Sequence, residues 1–169
     1  MNIQIYIDQG GVIVLVLIAM FALGLTLMLW KILVIAFIKL KRKTTYQKCL
    51  KELPKNSDIA MVELSVHNLM HSLERGLETI KIIATISPLL GLLGTVIGIY
   101  SAFQGISIHG LGDPSYFADG ISMAMITTIA GLIVAIPHYI GYNYIVGMMD
   151  KLELSFTQDL YRTIKSDDA

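Results

Sequence analysis

The chain has 169 residues, 54% of them hydrophobic and 15% charged, where soluble domains carry about 25% charged residues. That is a membrane composition, and a formal net charge of zero leaves no overall basic field to attract nucleic acid or acidic substrates. A single cysteine, Cys49, excludes an internal disulfide and any multi-cysteine metal site on this chain.

The first apolar run, Gly11 to Ile38, is interrupted only by Lys31. As a helix it would extend about 42 Å against roughly 30 Å of bilayer hydrocarbon, so residues 1–38 read as an N-terminal segment and first transmembrane helix. No Lys or Arg precedes the run, and it is too long for the apolar core of a signal peptide, so a cleaved leader is not expected. Lys31 stands near the inner end, beside Trp30. It can snorkel to headgroups or, buried, pair with a partner carboxylate.

Residues 39–80 are different in kind: Lys39, Lys41, Arg42, Lys43, Lys48, Lys51, Lys55 and Arg75 crowd into one connection, with Lys81 at its edge. The positive-inside rule places it in the cytoplasm. Pro54 and its neighbours break the chain, and Ser57 or Asp58 is suited to cap a following helix. Val66, Leu69 or Met70, Leu73, Leu77 and Ile80 recur at helical spacing, an amphipathic stripe expected to run without interruption into a second transmembrane helix over 81–107. The connection 108–119 has no Lys or Arg and belongs on the opposite side. A third transmembrane helix over 120–149 returns the chain to a cytoplasmic tail, 150–169. All 13 basic residues then lie on the inner side or in the first span. The expected fold is all-α, with three transmembrane helices, N-out and C-in, the second and third extended into the cytoplasm.

The second span carries the most structured pattern. Gly91, Gly94, Gly98, Ala102 and Gly105 recur at steps of three and four, a smooth stripe of the kind that lets helix backbones meet in lipid. Gly131 is a small residue of the same use in the third span, and Pro88 and Pro137 are candidate kinks that free a backbone carbonyl. Thr95 lies beside the stripe near mid-bilayer, and Thr127 and Thr128 lie about 11 to 12 Å inward from Gly120, at matching depth. These hydroxyls can face one cavity or simply bond to their own backbone four residues earlier. His138, after Pro137, is expected as a hydrogen-bonded residue at the inner boundary, where Tyr139, Tyr142 and Tyr144 also collect. No Asp, Glu, Lys, Arg or His occurs between Lys81 and His109. A proton path at membrane depth would therefore need a carboxylate from another polypeptide. No phosphate loop, nucleophile elbow or HExxH motif is present, so neither an enzyme nor a cofactor is indicated, and no metal site.

The run from Ser87-Pro88-Leu89-Leu90-Gly91 through Gly94-Thr95 to Gly98-Ile99 resembles the signature of the MotA/TolQ/ExbB proton-channel family, and Gly120-Ile121-Ser122 through Thr127-Thr128 to Gly131 and Pro137 resembles the third-helix signature of its ExbB and TolQ branch. The resemblance covers roughly residues 60 to 145. It implies an inner-membrane energiser of Gram-negative bacteria: a homopentameric ring around the helices of an ExbD-like or TolR-like single-span partner, whose aspartate carries the proton. Through a TonB-like or TolA-like protein, proton flow is then converted to work on the outer membrane. It also implies that Thr95 and Thr128 match the family's pore threonines, with Gly91, Gly94 and Gly98 closing the ring against neighbouring helices. One departure is Met123, where many members have a glutamate, and His138 occupies a position that is commonly small in the family. Within the family, the length is too short for the four spans of flagellar MotA, and the short N-terminus and cytoplasmic segment favour ExbB over TolQ.

Overall fold

The structure, a computed structural model, describes residues 3–41, 59–110 and 114–167; Cys49 and the cap candidates Ser57 and Asp58 lie outside them. Four helices account for almost all of the described residues: α1 (Ile3–Leu40), α2 (Ile59–Glu74), α3 (Leu77–His109) and α4 (Ser115–Asp167). Three of them, α1, α3 and α4, contain stretches long and apolar enough to cross a membrane, so the protein is an all-helical, multi-pass membrane protein. About half of the described side chains of α1 are exposed, including Val12, Leu15, Leu29 and Leu33. In lipid such a surface incurs no hydrophobic penalty.

Two local breaks have simple causes. Gly11 interrupts α1 with φ 61° and ψ −153°, a conformation open to a residue without Cβ. At Arg75-Gly76 the chain turns between α2 and α3, and Gly76 adopts φ 91°. The expected single helix from the amphipathic stripe into the second span is therefore corrected to two helices, because a left-handed glycine ends an α-helix. The stripe itself packs: Met70, Leu77 and Ile80 are buried. Pro88 and Pro137 both lie inside helices that continue past them.

The chain divides into two compact units. The first comprises residues 1–26 and 79–140, the second residues 27–78 and 141–169. The first unit's core is built from all three long helices, Leu17 of α1, Ile83 of α3 and Val134 of α4, with Phe21, Leu90 and Ala130 around them. In the second unit Met70, Ile145 and Phe156 are buried.

Candidate functional site

Within the first unit, α3 and α4 run antiparallel and meet backbone to backbone. A Cβ placed on Gly91 would come within 2.9 Å of the Thr127 carbonyl oxygen, on Gly98 within 2.5 Å of the Gly120 carbonyl oxygen, and on Gly131 within 2.6 Å of the Ser87 carbonyl oxygen. Gly94 faces the Thr127 side chain with no space for a Cβ, and Ala102 abuts Gly120. Small residues thus line both sides of the seam. The partner of the glycine stripe is this chain's own α4, so that face is already filled within one protomer. The matching stripe on α4, Gly120-Ala124-Thr127-Gly131, has steps of four, three and four. It was readable from the same spacing rule, but attention to the glycines of the second span alone passes over Gly120 and Ala124.

Beside this seam, Thr95 and Thr128 project from facing turns, and their hydroxyl oxygens lie 2.5 Å apart. Thr95 Oγ1 also lies 3.2 Å from the Gly91 carbonyl oxygen and 3.3 Å from that of Ala124. Thr128 Oγ1 is 3.1 Å from the Ala124 carbonyl oxygen and 3.5 Å from that of Gly91. Two hydroxyls and two carbonyls form one cross-helix cluster. Each hydroxyl has one proton to donate and two lone pairs with which to accept, so local backbone bonding and a shared contact coexist here. Adjacent to the pair is a groove of about 600 Å³, lined by residues such as Ile99, Phe103, Ile121 and Met125; among the described residues Thr95 and Thr128 are its only polar lining, and no carboxylate lines it.

Thr127 does not join them. It is buried, donates to the carbonyl oxygens of Met123 at 2.9 Å or Ala124 at 3.0 Å, and packs on Gly94. One residue of helix rotation, about 100°, separates the two neighbours' surroundings. Met123 is also absent from the groove lining and lies toward α1, its Cε 3.7 Å from where a Cβ on Gly11 would stand.

His138 is fully buried within the chain. Its Nδ1 donates to the Val134 carbonyl oxygen at 2.6 Å, and its ring meets Phe21 edge-on with centroids 5.6 Å apart. Nε2 is buried without a hydrogen-bond partner among the described residues and points at Gly24 of α1, where a Cβ would collide with it. The ring is accommodated because α1 has no side chain there. Lys31, in the second unit, is partly buried, and its Nζ donates to the Leu73 carbonyl oxygen at 2.7 Å. Leu73 lies in the last turn of α2, whose terminal carbonyls have no helical donors, so a lysine there acts as a cationic C-cap.

Residues 33–158 match the MotA/TolQ/ExbB proton channel family, a match that contains the seam, the threonine pair and the groove. The chain belongs to the MotA/TolQ/ExbB proton channel family. Its members are channel proteins, not enzymes. Among curated relatives, biopolymer transport protein exbB1 of Vibrio cholerae is 46% identical over 72 residues, 42% of this chain and 32% of the relative. ExbB of Neisseria gonorrhoeae is 31% identical over 105 residues, 62% of this chain and 48% of the relative. The Tol-Pal system protein TolQ of Haemophilus influenzae is 33% identical over 95 residues, 56% of this chain and 42% of the relative. The chain spans between about a third and a half of the length of the ExbB relatives it matches.

Proposed function

We propose that this protein is an inner-membrane energiser subunit of a TonB-type system, forming a pentameric ring around ExbD-like helices and coupling proton flow to work on outer-membrane transport. The observation that carries the reading is the Thr95–Thr128 pair, 2.5 Å apart at a groove with no ionisable lining residue among the described ones. A hydroxyl donates to a carboxylate and accepts from a carboxylic acid. The pair therefore suits both protonation states of an acid on a partner helix. Without that partner the two hydroxyls bond one another and the carbonyls of Gly91 and Ala124, so neither hydroxyl is left unpaired in lipid. In this scheme Thr95 and Thr128 line the proton path, Thr127 supports the seam, and the titrating aspartate belongs to the ExbD-like or TolR-like partner. Met123 supplies no second acid.

The basic connection 39–80 and the tail 150–169 lie in the cytoplasm, and 108–119 faces the periplasm, because Lys and Arg are confined to the inner side. Helix length supports extension of the third span: α4 has 53 residues, about 80 Å of helix against roughly 30 Å of hydrocarbon. Similarity to a Tol-Pal protein favours one alternative in the same class, a TolQ-like subunit acting with TolR-like and TolA-like partners. A non-conducting scaffold ring is the reading from another class.

Thr95→Val and Thr128→Val should each abolish TonB-dependent uptake while the assembled complex survives purification at its native mass. Normal uptake in both variants would remove the threonines from the proton path. Reconstitution with the partner in liposomes separates channel from scaffold: pH-driven proton flux that requires the partner's aspartate is expected, and equal flux with and without that aspartate contradicts the scheme.

A further inference from the structure

The apolar run of α1 is longer than a bilayer needs. From Gly11, where the helix is interrupted, to Lys31 is already about 30 Å of helix, the thickness of the hydrocarbon core, and apolar residues continue to Leu40, broken only by Lys39. In the second unit the level of Lys31 is fixed by the turn between α2 and α3: Nζ donates to the Leu73 carbonyl oxygen, and Cε lies 3.5 Å from where a Cβ on Gly76 would stand. Around that turn Glu74, Arg75 and Glu78 are exposed. Exposed charges are costly in hydrocarbon, so the lipid ends near this level. A second marker comes from α4, which runs in the same direction as α1, Gly10 facing Ile126 and Gly24 facing His138. Met28 meets Gly141, and as α1 goes on from there to Phe37 and Ile38, α4 reaches Asp150 and Lys151, both exposed.

Leu33 therefore stands at the boundary, and Ala36, Phe37 and Leu40 lie beyond it. All four are exposed, Phe37 at 57% and Leu40 at 86%, while Ile35 on the opposite face is buried. Their steps of three, one and three place them on one side of the helix. An apolar stripe that lipid does not cover marks an interaction surface. The same unit exposes Met61 and Leu64, one turn apart on α2, and Leu154 on α4. Beside them His67, Asn68, Asp150 and Lys151 are exposed as well, so lipid does not cover that surface either. We propose that the α1 stripe is where a second copy of this chain docks, through Met61 and Leu64 of that copy's α2 and Leu154 of its α4. This contact rests on the ring proposed above and names the surface that closes it. Around a ring, one surface of each protomer meets a different surface of the next, so a single chain must carry both. The second unit carries two such sets of apolar side chains. The glycine seam cannot take this part, because α3 and α4 of one chain already fill it.

The test uses the full-length chain. Chains with Phe37→Cys and chains with Leu64→Cys or Leu154→Cys, all with Cys49→Ser and each kind with its own tag, are produced together and oxidised in membranes. A disulfide-linked dimer bearing both tags is expected from at least one pairing. Leu15→Cys, at a different depth on α1, should give none with either. In detergent the unaltered protein should have the mass of several protomers, and Phe37→Glu combined with Leu40→Glu should shift it to the mass of one. Helix content should stay unchanged, because both side chains are exposed. No dimer with both tags, an equal yield from Leu15→Cys, or a multimer that survives both glutamates would overturn the docking surface while leaving the ring standing. A single-protomer mass for the unaltered protein would overturn the ring and this contact with it.

Discussion

The first unit contains two helix seams that are closed in opposite ways. Between α3 and α4 the seam is closed by removing side chains: Gly91, Gly98, Gly120 and Gly131 let carbonyl oxygens and Cα atoms touch across it. Between α1 and α4 it is closed by filling: Gly24 is a notch, and the large ring of His138 occupies it, with Phe21 against its edge. In lipid neither seam is driven by water, so close packing must supply the attraction. The backbone seam places Thr95 and Thr128 near enough to share a proton between hydroxyls. The notch seam leaves one ring nitrogen without a hydrogen-bond partner among the described residues.

The strongest way to break this comparison is to add a methyl group to the backbone seam. Gly98→Ala puts a carbon 2.5 Å from the Gly120 carbonyl oxygen and 2.8 Å from Ala124 N, atoms that cannot move without parting the helices. A loss at or above the upper end of roughly 1–3 kcal/mol is expected, read as a lowered melting temperature in detergent, together with loss of transport as the threonine pair separates. Gly147, also in α4, has nothing within 4 Å of its Cβ position. Gly147→Ala should be neutral or gain up to about 1 kcal/mol from helix propensity. Equal destabilisation by both changes would show that the close approach at Gly98 is not what holds the seam.

The notch seam predicts a different pattern, coupling in place of simple loss. Gly24→Ala should cost about 1–3 kcal/mol because the added carbon meets the His138 ring. His138→Ala leaves a cavity but removes the obstacle, so the double variant should lose less than the sum of the single losses. A coupling of about 1 kcal/mol or more by double-mutant cycle is expected. Strict additivity would mean that the ring does not fill the notch.

The same contrast explains what was legible in the sequence. The three apolar helices follow from their length and composition, and the glycine stripe of α3 and the pairing in depth of Thr95 with Thr128 follow from spacing along a helix. The face that α1 packs was not legible. Gly10, Val14, Leu17, Phe21, Gly24, Met28, Lys31 and Ile35 form its inward line at alternating steps of four and three, but the helix is apolar on every side and its amphipathicity cancels. Met70 and Phe156 in the second unit were legible only in part, since burial there depends on partners far along the chain. The break at Gly76 was missed because a periodic apolar pattern on either side concealed a single left-handed residue. The surroundings of His138 were legible only in part: depth along a helix can be counted from sequence, whereas the direction a side chain faces depends on Gly24, more than a hundred residues earlier.

The smallest expected effect gives the sharpest discrimination, because it compares adjacent residues. Thr127 and Thr128 are both hydroxyl donors to carbonyls of the preceding turn, and Thr→Val preserves shape while removing the hydroxyl. For each, stability should change by no more than about 1 kcal/mol, the ordinary net value of a hydrogen bond. Function should separate them. Thr128 borders the groove and touches Thr95, whereas Thr127 faces Gly94. Thr127→Val should therefore retain proton flux in liposomes within a factor of about two, and Thr128→Val should lose it, since a difference of only about 1.4 kcal/mol at a rate-limiting proton step is already tenfold. If both variants conduct equally, the hydroxyl pair is only packing; if Thr127→Val alone fails, the path runs through the seam and not along the groove.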